Sequence, residues 1–215
     1  MSAHCCAHSH RYSSKYPERD ARYRRVLWVV LAINAAMFLV EIGAGLAAGS
    51  VSLQADALDF LADAGNYGIS LLVVGAAPHL RAKAALIKGT TMGLFGLWVI
   101  GVTAWHAVEG TLPHAGAMGA VGFAALLANA AVLALLWAYR SGDANMRSVW
   151  LCSRNDVIGN CAVLLAALGV FGTGTGWPDV IVAAVMGLFA LQGASLVIRQ
   201  AASELQQVRA AVSAE

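Results

Sequence analysis

Six long apolar segments follow one another along the chain, at 26–48, 51–76, 86–107, 115–138, 146–172 and 178–199. Each supplies the roughly 20 mostly apolar residues that a helix needs to cross the hydrocarbon core of a bilayer. The pattern predicts an all-α integral membrane protein with six transmembrane helices. The breaks are clearest at Ala77-Pro78-His79 and from Gly172 to Pro178, where proline and glycine interrupt the helical run. No convincing internal repeat is visible.

Composition agrees. The 215 residues are 59% hydrophobic and 12% charged, whereas a soluble domain carries about 25% charged residues. That excess is too large for one water-soluble core. The distribution of cations says more than the net charge of +2. Arg11, Lys15, Arg19, Arg22, Arg24 and Arg25 precede the first span, Arg81, Lys83 and Lys88 flank the second connection, Arg140 and Arg147 the fourth, and Arg199 and Arg209 follow the last span. The first, third and fifth connections contain neither Lys nor Arg. Every loop cation thus falls on one side of a six-span chain, which the positive-inside rule assigns to the cytoplasm, with both termini there. The basic region before the first span is too long for an ordinary secretion signal, so no cleavage is expected. The expected location is the cell membrane, multi-pass, and the inner membrane for a bacterial protein.

The organisation expected is a His/Cys-rich and basic cytoplasmic tail over 1–25, a six-helix transport domain over 26–200 and a short cytoplasmic tail over 201–215. Four cysteines, two in the tail and two in an apolar segment, do not suggest a disulfide framework.

Acidic residues stand where lipid should forbid them. Span two contains Asp56, Asp59 and Asp63, span five contains Asp156 with Cys152 one turn earlier, and span one contains Asn34 and Glu41. An Asp at the centre of a span costs about 3 kcal/mol on insertion scales, and such residues are kept for ion or proton handling. Asp59 and Asp63 are four apart and share one helix face, as do Cys152 and Asp156. Two helices bearing such pairs, facing each other, offer four ligands, the number a tetrahedral divalent cation prefers. Span two enters from outside and span five from inside, which sets both pairs near mid-membrane. Intramembrane carboxylates can instead pair with Arg or bond to neighbouring helices. Here the remaining cation, beyond those that flank the connections, is Arg154 within span five, and its simpler role is to snorkel to the inner surface. Cys152 read alone is also an ordinary small core residue. Asp56 lines the exit path or holds its helix pair together, and Asn160 extends the stripe of span five.

At these residues the sequence resembles the cation diffusion facilitator family of zinc, cobalt, cadmium and iron exporters. The resemblance rests on Glu41-Ile42-Gly43-Ala44-Gly45, on Ser50-Val51-Ser52-Leu53-Gln54-Ala55-Asp56-Ala57-Leu58-Asp59 followed by Asp63, on Asn129, on Cys152-x-x-x-Asp156 followed by Gly159, and on Trp177-Pro178-Asp179. It covers about residues 26–200, with the motifs in order on the corresponding helices. It implies that Asp59, Asp63, Cys152 and Asp156 are transport-site ligands, and that the metal leaves in exchange for protons by alternating access. Two departures stand out. Cys152 replaces the usual His or acidic residue, and its softer sulfur favours zinc, cadmium or cobalt over manganese or magnesium. About fifteen residues follow span six, so the cytoplasmic domain of typical members is expected to be absent, and a homodimer would form through membrane helices.

His4, Cys5, Cys6, His8 and His10 crowd the first ten residues. Short Cys/His tracts suggest metal capture, although the spacing does not fit a closed structural zinc site. The function expected is efflux of a divalent metal, zinc foremost, by a secondary transporter with no bound cofactor. Its partners are the metal ion, protons and the lipid bilayer, and no nucleic acid. The alternative is a membrane metal sensor or accessory subunit that binds without transport. No His-Glu-x-x-His and no nucleophile–base pair points to an enzyme.

Overall fold

The structure, a computed structural model, describes residues 17–72, 78–139 and 144–213, with the side chains of 17–21, 70, 72, 78, 79, 81, 139, 144–152 and 208–213 outside that description. It consists of six long helices, α1 (Pro17–Ala48), α2 (Val51–Leu72), α3 (Pro78–Glu109), α4 (Ala115–Leu136), α5 (Ala144–Thr173) and α6 (Trp177–Ser213), with a short 3-10 turn at Trp137–Tyr139. No strand occurs among the described residues. Five helices are long and apolar enough to cross a membrane. The sixth, α2, has 22 residues; Asp56, Asp59 and Asp63 dilute its apolar character.

The expected spans mark the helices well but not their ends. Helix α1 begins at Pro17, before the apolar run, and α6 continues to Ser213. Most of the stretch read as a C-terminal tail is therefore a helical extension. Backbone hydrogen bonding carries a helix past the bilayer wherever no breaker stops it.

The turn after α1 explains how two long helices reverse direction within so few residues. Gly49 adopts φ +65°, a left-handed conformation that costs glycine little. The Ser50 N–H then reaches the Gly45 carbonyl at 2.9 Å and the Gly49 N–H the Leu46 carbonyl at 3.4 Å. This is a Schellman closure, which satisfies carbonyls that α1 would otherwise leave orphaned. The turns after α3 and α5 also place a glycine in the left-handed conformation, Gly110 at φ +69° and Gly174 at φ +63°. These three turns define one end of the bundle, called here the glycine-turn end. They are also the three connections without Lys or Arg.

Packing follows regular stripes. On α4 the buried positions are Met118, Gly122, Ala125, Asn129, Val132 and Leu136, alternating three and four apart. On α1 the same rhythm runs through Tyr23, Leu27, Val30, Asn34, Glu41 and Gly45, so both polar residues of the span turn inward. Helix α3 pairs with α6, α1 with α2 and α4 with α5, while α2 also touches α3, α5 and α6. Its central position lets α2 carry three carboxyl groups, because neighbouring helices rather than lipid surround it. Two apolar clusters fill the interior. One, around Leu53, Val99, Met118 and Val163, lies toward the glycine-turn end. The other, around Leu27, Val30, Tyr67 and Leu136, lies toward the opposite end.

Outside, Leu39, Leu94, Leu97, Leu165, Leu168, Phe171 and Leu188 are exposed. A water-soluble monomer does not present so continuous an apolar surface. Trp105 and Trp177 stand exposed near the glycine-turn end, and Trp28 and Trp137 near the other, as aromatic belts do at the two membrane interfaces. The molecule is a multi-pass membrane protein.

Candidate functional site

Helix α2 carries the site, and its N-terminus is pinned from two sides. The Ser50 hydroxyl accepts the Leu53 N–H at 3.2 Å, an ordinary N-cap. From α6, Asp179 accepts the Ser50 hydroxyl at 2.7 Å, the Val51 N–H at 2.8 Å and the Ser52 N–H at 3.0 Å. The carboxylate is 1% exposed. It satisfies N–H groups that the first turn of a helix leaves free, and its charge complements the helix dipole. Val51 to Leu58 are consequently buried without interruption.

One turn deeper, Asp59 is half-buried and Asp63 is 7% exposed. The Tyr67 hydroxyl donates to Asp63 Oδ2 at 3.0 Å. The same hydroxyl lies 3.4 Å from the Ser153 hydroxyl of α5. A hydrogen-bonded bridge thus links Asp63 of α2 to α5. Asp156, three residues after Ser153, is half-buried. Asn160 donates its side-chain amide to the Asp156 carbonyl at 2.9 Å, which holds that side chain against its own helix. Asn129 of α4 is buried as well.

Asp59, Asp63 and Asp156 therefore all lie on α2 and α5, two helices in contact, but they are not gathered into a ready cage. Among the described residues no three His, Cys, Asp or Glu side chains stand close enough to hold one metal ion. The fourth expected ligand, Cys152, belongs to α5, but its side chain lies outside the described residues, as do His4, Cys5, Cys6, His8 and His10.

Several participants escape a reading by ligand type. Tyr67 and Ser153 are neither acids nor thiols; the clue to Tyr67 was its spacing of four from Asp63. Asp179 stood in a recognised motif, yet its partner is 129 positions away. Lys88, counted as a loop cation, sits instead inside α3, half-buried, with its ammonium bonded to the Asn66 amide oxygen. A Cβ added at Gly65 would stand at van der Waals distance from the Lys88 stem. The Lys88 ammonium places a positive charge at Asn66, three residues along α2 from Asp63. Arg154 is exposed, as a snorkelling side chain would be.

A six-helix membrane bundle with carboxyl groups on its central helix defines a transport domain for cations. The chain belongs to the cation efflux family, whose transmembrane-domain model ("Cation efflux transmembrane domain") matches residues 27–206. It is a divalent metal cation efflux transporter of the cation diffusion facilitator type. Among its relatives are proteins named zinc transporter ZitB. Those of Escherichia coli (strain K12) and Shigella flexneri are each 29% identical, over 93% of this chain and 67% of their own length. That of Pectobacterium atrosepticum is 27% identical, over 93% of this chain and 64% of its own length.

Proposed function

We propose that the chain exports zinc, and the chemically kindred cadmium and cobalt, from the cytoplasm in exchange for protons. Asp59, Asp63, Cys152 and Asp156 serve as ligands. The observation that carries this reading is the Asp63–Tyr67–Ser153 bridge between α2 and α5, which couples the two ligand-bearing helices where the carboxylates lie. The names of the relatives point to zinc, and a thiolate in the ligand set suits the same metals. The glycine-turn end, free of Lys and Arg in its connections, faces outward in the orientation that the cations favour. The protein acts as a secondary transporter rather than an enzyme.

The exchange is electrostatic in origin. Open to the cytoplasm, ionised carboxylates bind the cation; open to the outside, protons compete for the same oxygens and displace it. Rocking of the helix pairs alternates access. Uptake of zinc into vesicles with an imposed pH gradient tests the reading. The wild type is expected to accumulate metal and Asp63→Ala to lose uptake. Wild-type vesicles that bind zinc without accumulating it would reduce the protein to a sensor.

A further inference from the structure

Glu41 and Asp56 form a second acidic arrangement, nearer the glycine-turn end than Asp59 and Asp63. Glu41 is 0% exposed and Asp56 1% exposed. Glu41 stands eight residues before the Gly49 turn and Asp56 seven after it, so the two side chains lie at matching depth and meet across the packed α1–α2 interface. None of their four oxygens accepts a hydrogen bond from another described group. Asp179, equally buried, takes three such bonds. The contrast sets the Glu41–Asp56 pair apart from a structural carboxylate.

No described cation stands against the pair. On α1 no other titratable residue occurs between Val26 and Ala48, and α4 has none from Ala115 to Leu136. On α2 the next charge is Asp59, which bears on Glu41 with the same sign. On α6 the nearby acid is Asp179, engaged by the start of α2, and Arg199 lies toward the opposite end. On α3, Lys88 is held at Asn66 beyond Asp63, and His106 and Glu109 belong to the glycine-turn end. On α5 the charged residues at bundle depth are Arg154 and Asp156.

Ionised carboxylates only accept hydrogen bonds, so a bond between two carboxyl groups requires a proton on one of them. Two carboxylates in contact inside a low-dielectric interior cannot both stay charged. A hydrated metal ion has no route to side chains so enclosed, whereas a proton can arrive along a transient hydrogen bond. We infer that Glu41 and Asp56 share one proton and form a proton-binding site separate from the metal ligands, carrying a proton inward as the metal moves out. The shared proton stays on the pair; its remaining carboxylate oxygen takes up a second proton from the outside and releases it to the cytoplasm, so that the pair alternates between two protons and one and is never doubly ionised. The coupling role rests on the exchange reading above; the shared proton does not.

Infrared difference spectroscopy on the full chain in lipid vesicles reads the proton directly. The wild type is expected to show a protonated-carboxyl band that Glu41→Gln and Asp56→Asn each shift or remove, and that the double variant lacks. The band should survive in Asp63→Asn, and in the exchanged pair Glu41→Asp with Asp56→Glu, which guards against a folding defect. A band unchanged in both single variants overturns the proposal. So does its disappearance when zinc is added to Asp63→Asn, which would mark the pair as a cation site. In transport, the double variant should carry zinc down its own gradient but lose the acceleration given by a pH gradient. Retained acceleration overturns the coupling role. A wild type indifferent to the pH gradient sinks the exchange reading, while the infrared band still decides whether the pair holds a proton.

Discussion

Asp179, at the start of α6, accepts a 2.7 Å hydrogen bond from the hydroxyl of Ser50, the residue that caps α2. With two backbone N–H groups on the same carboxylate, this is a staple between the outer helix pair α3–α6 and the helix that bears the acids. It fixes the depth of Asp56, Asp59 and Asp63, because a helix pinned at its first turn cannot slide along its axis.

Asp179→Ala should therefore destabilise the fold by about 3 kcal/mol, the order expected when hydrogen bonds to a buried charged group are lost. Asp179→Asn should cost less, since the amide oxygen still accepts from one of the N–H groups. Thermal unfolding of the purified variants in detergent checks the order, and equal midpoints for Asp179→Ala and wild type would refute the staple.

Tyr67→Phe removes the hydroxyl that joins Asp63 to Ser153. The loss in stability should be modest, about 1 kcal/mol for a single hydrogen bond. The larger effect should be on transport, because Asp63 loses a hydrogen-bond donor and α2 a polar tie to α5. Zinc uptake by Tyr67→Phe should fall between those of wild type and Asp63→Ala, and full wild-type uptake would show the bridge to be dispensable.

Cys152→Ser replaces a soft sulfur with a hard oxygen. Preference should move away from cadmium and zinc toward manganese, as ligand softness dictates. Competition between these ions in vesicle uptake measures it. An unaltered order of preference removes Cys152 from the ligand set.

Gly176 marks a close backbone approach at the glycine-turn end: a Cβ there would collide with the Thr111 carbonyl oxygen. Gly176→Ala must push the α3–α4 connection away from the start of α6, at a cost of about 2 kcal/mol typical of overpacking. Gly43→Ala is the matched control, since nothing lies within 4 Å of its added carbon. A lower unfolding temperature is expected for the first and not for the second.

Much of this protein is readable without coordinates. Hydropathy marks five of the helices outright, because an apolar run of bilayer length has few other stable forms, and the order of the segments places α2 between them. Four-residue spacing places Asp59 with Asp63 and Cys152 with Asp156 on common faces, since helical geometry is local and periodic. The polar residues Asn34 and Glu41 likewise reveal which side of α1 faces the bundle. Helix ends were less legible. The extensions of α1 back to Pro17 and of α6 on to Ser213 lie outside the apolar runs, where hydropathy carries no signal.

Pairings between helices are of another kind. The Asp179–Ser50 clamp joins positions 129 apart, and the Tyr67–Ser153 contact positions 86 apart. Glu41 and Asp56 meet only because the Gly49 turn folds α2 back against α1. Local rules settle where helices form and which residues share a face. Which faces meet depends on packing among six nearly uniform apolar surfaces, where small glycine gaps and a few polar contacts break the degeneracy, and that choice exists only in the assembled bundle.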